Sequence, residues 1–113
     1  MEAIIEHLNP EGLHKNPAHS QAVAGGRADL RAQSVRALRN VEAAVTEAGG
    51  RLDHVVKWNV FIVQGQPIPL GFEAFTEVWP AAAKPPVVTV AIVHGPGNPD
   101  YLVEIEAIAV IPS

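Results

Sequence analysis

Two carboxylates near the end of the chain are the residues best placed to do chemistry. In residues 102–111, period-two alternation puts Leu102, Glu104, Glu106, Ile108 and Val110 on one face of a strand. Val103, Ile105, Ala107, Ala109 and Ile111 take the other. The carboxylates then project the same way, about 7 Å apart by strand rise, from a segment otherwise composed for burial. A buried carboxylate needs a partner or a proton, because desolvation penalises its charged form. Such a group suits proton transfer or the holding of a water. The structural alternative is a pair at a sheet edge, solvated or bridged to Lys57, Lys84 or a helix arginine.

Other chemistries find less support. The five histidines, His7, His14, His19, His54 and His94, lack the local spacing of a zinc motif, so no metal is expected. His19 stands out among them, in a proline-rich loop before Ser20 and Gln21. The chain has no cysteine, which excludes disulfides, thiolate catalysis and Cys-ligated zinc. Gly25-Gly26 and Gly49-Gly50 fit turns better than phosphate cradles, and no Ser-His-Asp arrangement follows from spacing. A net charge of −4 supplies no basic field, which disfavours nucleic acid as a partner.

These residues need a scaffold, and 113 residues supply one hydrophobic core, hence a single domain over 1–113. With 48% hydrophobic residues and a mean hydropathy of +0.14, apolar surface is left over, which points to self-association. The amino-terminal residues lack the basic start and apolar run of a signal peptide, and no segment reaches the ~20 apolar residues of a membrane span. A cytoplasmic protein with no membrane contact is expected.

The elements follow from pattern. A short apolar run at 3–8 reads as a strand, and the two Asn-Pro steps that follow make 9–20 irregular. The clearest helix covers 29–48, with Asp29 as N-cap and Gly49-Gly50 as the stop. Leu30, Ser34, Ala37, Leu38, Val41, Ala44, Val45 and Ala48 form its apolar face, while Arg31, Arg36, Arg39, Glu42 and Glu47 read as a solvated face. Residues 53–64 have strand composition. His54, Val56, Trp58, Val60 and Ile62 should face one way and Val55, Lys57, Asn59, Phe61 and Val63 the other, both sides being covered. A second helix lies within 67–79, where Phe72, Phe75 and Trp79 form a core stripe. Residues 87–93 should be a central strand, paired antiparallel with the last through the turn 94–100. The order β-loop-α-β-α-β-β predicts an α+β fold, with two helices packed on one face of a mixed sheet.

Five blocks then carry a resemblance. NPxxxxxNPAHSQAV, DLRAQSVRALRNVEAAV, VVKWNVFIV, GFEAFTEVW and YLVEIEAIAV occur in the order found in the reactive intermediate deaminase family (RidA, also called YjgF or L-PSP endoribonuclease), which the chain resembles over nearly its whole length. The resemblance implies a chorismate-mutase-like two-layer sandwich, a homotrimer, no cofactor, and intersubunit clefts where members hydrolyse enamine or imine intermediates to release ammonia. Some members are described as endoribonucleases or translation inhibitors. Glu104 matches the family's water-positioning carboxylate, leaving Glu106 structural.

The sequence also departs from the family pattern. The arginine that forks onto a substrate carboxylate at the start of the strand after the second helix is replaced by Thr89, or by Val88 with a one-residue slip. No arginine follows Arg51. Pro69 stands for an asparagine, and His19 for the aromatic of a PYSQA-like loop. The implied site is therefore Glu104 as catalyst, with His19, Thr89 and Pro69 binding a small-molecule ligand. Only Ala24, Gly25 and Gly26 occupy the place of two further strands, and ~10 Å of chain cannot form a hairpin. Three functions remain open: a small-molecule enzyme or binder lacking the arginine, a non-enzymatic ligand-sensing or chaperone-like trimer, and an endoribonuclease.

Overall fold

The computed structural model describes residues 29–95 and 97–112. The expected strand at 3–8, the loop at 9–20 and His19 lie outside the described residues. The first helix, α1, is Leu30–Glu47, and its start and stop are those written in the sequence. Asp29 Oδ1 accepts from Ala32 N at 2.8 Å, satisfying a backbone donor that the first turn cannot. At the other end Gly49, at φ +94°, donates to Thr46 O and Gly50 donates to Val45 O. That pair of bonds closes the helix through the left-handed conformation glycine adopts without penalty. A Cβ at Gly50 would also stand 2.9 Å from Ile111 Cγ1, so the chain turns tightly against the strand layer.

The expected strand at 53–64 is shorter than its composition suggested. Leu52–His54 form a 3-10 turn, in which Arg51 N donates to His54 Nδ1 at 2.9 Å, and β1 runs Val55–Val63. Strict alternation along β1 also fails at its start. Val55 pairs with Ala109 but Lys57 pairs with Ile108, so two steps on β1 match one on the last strand. This bulge at Val56 puts Val55 and Trp58 in the same core, on the side where strict alternation separates them. Beyond Lys57 the period of two is restored.

The second helix, α2, is Ile68–Val78, with Pro67 as N-cap. Pro69 therefore sits within its first turn, where a missing N–H breaks no helical bond. β2 is Val87–Val93 and β3 is Val103–Ala109. The strand order is β2-β1-β3, with β1 parallel to β2 and antiparallel to β3. Both expectations about 87–93 are thus corrected: among the described residues β2 is an edge strand, and it does not pair with β3. The parallel pairing follows from α2, which serves as the crossover that parallel strands require. The connection to β3, holding Pro99, is no tight hairpin and crosses the end of β1, where Val63 N donates to Leu102 O and Gln64 N to Val93 O. β1 thereby gains a ladder on both sides.

The helices cover one face only. Leu38, Val45, Leu52, Val55, Trp58, Ala74, Val78, Ala109 and Ile111 form the main buried cluster, and Leu30, Ile62 and Val103 a second. The expected α1 face is buried as drawn at Leu30, Ser34, Ala37, Leu38, Ala44 and Val45, with Gln33 buried in addition. Gln33 bridges layers: its Oε1 accepts from Leu102 N at 2.9 Å and its Nε2 donates to Asp100 O at 3.2 Å. Trp58, 1% exposed, meets Phe75 and Trp79 edge-on at 6.2 and 6.4 Å, and these two stack on each other at 5.5 Å. Phe72 departs from the expected stripe. It is 59% exposed, because its turn of α2 overhangs β2 without meeting it.

Candidate functional site

The face of the sheet turned away from the helices carries the candidate site. Register fixes its rows, because directly paired residues point the same way. Val87, Lys57 and Ile108 form one row; Thr89, Asn59 and Glu106 the next; Ala91, Phe61 and Glu104 the third. Both carboxylates therefore share a face, as the alternation requires, and both are exposed rather than buried. The reason is the layer arrangement: α1 and α2 cover the side holding Val103, Ile105 and Ala109, and nothing among the described residues covers the other. The solvated alternative is the one met in the single chain.

The sequence-predicted residues separate accordingly. Thr89 and Glu104 come onto the open face, one row apart and on the two outer strands, so their Cα atoms stand about 12 Å apart by strand spacing and rise. Pro69 is exposed in the helix layer behind that face. The strand after α2 begins at Val87, whose side shares the face of Thr89. No guanidinium is available at Val87, Val88 or Thr89. Lys57 does not bridge to either glutamate; its Nζ donates to Thr89 Oγ1 instead. Lys57 and Asn59, both half-buried, join the face through the alternation of β1 itself. Only the cross-strand register shows that Glu106, not Glu104, shares a row with Asn59 and Thr89.

Charge elsewhere is taken up in exposed pairs. Arg31 reaches Glu77 at 2.5 Å and Glu73 at 3.4 Å, joining α1 to α2, and the Glu77 hydrogen bond raises the arginine's pKa. Arg39 pairs with Glu42 at 2.9 Å. The Arg51 hydrogen bond, 3.0 Å to Asp53 Oδ1, holds the Asp53 carboxyl below its ordinary value. None of these lies on the open face. A cavity of about 230 Å³ lies on the opposite side, between α2 and the sheet, bordered by Phe72, Phe75, Val88 and Val90. Its lining is apolar apart from Ser34; it includes Val88, the alternative to Thr89, but not Thr89, Glu104 or Pro69. Among the described residues there is no group of three His, Asp or Glu side chains placed to hold a metal. No described helix is long and apolar enough to cross a membrane.

Two helices on one face of a small mixed sheet define an α+β two-layer protein with an open, carboxylate-bearing sheet face. Residues 15–111 match the family model described as Endoribonuclease L-PSP, and the chain belongs to that family. Solved structures agree. PA3499 of Pseudomonas aeruginosa, a protein of unknown function, is 32% identical with a TM-score of 0.73, over 84% of this chain and 68% of that one. Rv2704 of Mycobacterium tuberculosis, a member of the YjgF/YER057c/UK114 family, is 30% identical with a TM-score of 0.65, over 74% and 69%. Escherichia coli TdcF, solved with bound serine, is 31% identical with a TM-score of 0.65, over 76% and 68%. No curated protein matches.

Proposed function

We propose that the open sheet face is one wall of a binding cleft for a small enamine or imine metabolite, completed by neighbouring subunits of a homotrimer in the cytoplasm. The observation that carries this reading is the placement of Glu104 on an exposed face with Thr89, among apolar side chains that water would otherwise surround. Val87 is 62% exposed and Ile108 39% exposed on that same face, and burying such surface favours association. The serine bound to TdcF supports a ligand of amino-acid size.

In this reading Glu104 holds a water and takes its proton as the oxygen attacks the imine carbon. Glu104 returns that proton to the nitrogen, the hydroxyl of the resulting carbinolamine gives up its own as the C–N bond breaks, and ammonia leaves a carbonyl compound behind. Incubation with 2-aminoacrylate generated in place should release ammonia. Glu104→Ala should lower kcat by about 10²–10⁴-fold while leaving ligand binding within a small factor. Equal rates for the two proteins would remove Glu104 from the reaction, and a monomer in sedimentation would remove the shared cleft. His19, which lies outside the described residues, remains part of this proposal, and so does Pro69, contributed from the helix layer of a neighbouring subunit.

A second reading, a trimer that senses a ligand or acts like a chaperone without turnover, is favoured by the lack of any arginine after Arg51. Binding without ammonia release would select it. Ribonuclease activity is the weakest of the three, because a chain of net charge −4 offers phosphates little attraction. We also infer that a pair of strands is missing at 24–26. Support comes from the three residues available there and from the relative matched over 68% of its length by 84% of this chain.

A further inference from the structure

The cavity between α2 and the sheet runs from a buried floor to an open rim. Ser34, Leu38 and Ile62 line it as buried residues, whereas Phe72, Val88 and Val90 line it as exposed ones. The sheet separates this space from the open face, because Val88 and Val90 alternate with Val87 and Thr89 along β2.

Ser34 is the one polar side chain in the wall, and it is 3% exposed. A hydroxyl on a helix can return to the carbonyl four residues back, as Thr76 Oγ1 does in α2 by donating to Phe72 O at 2.9 Å. None of the hydrogen bonds formed among the described residues engages the Ser34 hydroxyl. A buried hydroxyl without a partner costs free energy, and a polar atom entering the cavity would recover it.

Size and chemistry narrow the guest. An apolar cavity of about 150 Å³ takes benzene. A volume of about 230 Å³ therefore suits a flat molecule of about nine heavy atoms. Phe72 and Phe75 favour an aromatic guest, and a rigid one loses little freedom on binding. No ionisable side chain borders the space, so a charged guest would lose its hydration without a counter-charge. We infer that this cavity is a second binding site, for neutral bicyclic aromatics that make one hydrogen bond to Ser34. The site uses neither Glu104 nor Thr89 and stands independently of the open-face reading.

Indole and indene test it, being matched in shape while one carries a ring N–H and the other a CH2. NMR titration of the full chain follows the methyl signals of Leu38, Ile62, Val88 and Val90. Indole should move them with a dissociation constant on the order of 0.1–1 mM, and indene should bind about three- to tenfold more weakly. Ser34→Ala should remove that difference while leaving indene unchanged. Gly71→Leu should weaken both probes about tenfold or more, because it sends a side chain into the space from the cavity wall. Gly71→Ala keeps the test open if that variant fails to fold. Its Cβ would meet Ile62 Cδ1 at 3.7 Å, an ordinary contact, and the trimmed cavity should bind indole several-fold more weakly. Unmoved methyls at ~3 mM indole, equal binding of the two probes, or a preference that survives Ser34→Ala would overturn the site. So would methyls that shift on dilution of the protein and not on addition of indole, which would give the space to a second copy.

Discussion

The two faces of the sheet are built to opposite rules. Toward the helices, Trp58, Ile62, Val103 and Ala109 are almost fully buried and their positions are over-determined by aromatic contacts and by the bulge at Val56. Away from them, Lys57, Asn59, Phe61, Thr89, Glu104 and Glu106 are placed by the β1 ladders alone. One face holds the fold, and the other is free to vary. No arginine stands at the head of β2, where Val87 and Thr89 look onto that second face.

This contrast can be broken by substitution, starting where the effect is largest. Trp58→Ala should cost about 3–5 kcal/mol in chemical denaturation, because it opens a void under Phe75 and Trp79. A loss no larger than that of a surface change would end the claim that this face carries the stability. Gln33→Leu should cost about 1–3 kcal/mol, since Leu102 N and Asp100 O would lose their partner between layers. On the open face, Ile108→Glu should change the stability of the isolated subunit by less than about 0.5 kcal/mol, while sedimentation shows the proposed trimer falling apart. An unchanged oligomer would move the interface elsewhere.

The smallest effect belongs to Asp53. Its folded pKa lies below its ordinary value because of Arg51, so the pair contributes stability above the unfolded carboxylate pKa and loses it as pH falls through the folded value. Asp53→Asn should lower stability slightly at neutral pH and not at all in strong acid. The pair is largely exposed, which keeps the difference small.

Much of the helix-covered face was legible in the sequence. Asp29, Gly49 and Gly50 marked α1, and its apolar spacing drew the buried side, missing only Gln33. An amide is not counted as core by periodicity, and its role depends on backbone groups some seventy positions away. The parity of β3 was also legible, which placed Glu104 and Glu106 on one face. Their exposure was not, because burial depends on which layer covers that face. β2 looked central because a run of β-branched residues reads alike in a covered strand and in an edge strand that presents both sides. Its true place follows from α2 acting as a crossover, a matter of topology rather than composition. The same holds for Phe72, whose helical spacing was right but whose turn stands off β2 across the cavity.

The extra residue at Val56 changes what a single deletion would do to this protein. Removing Val56 would put Val55, Lys57 and Trp58 in strict alternation, with Val55 and Trp58 still in the core and Lys57 and Asn59 still on the open face. Removing a residue beyond Trp58, where the alternation is already strict, would instead exchange the faces of every side chain on one side of the gap. The strand therefore tolerates the loss of a position at its start and not along its regular length.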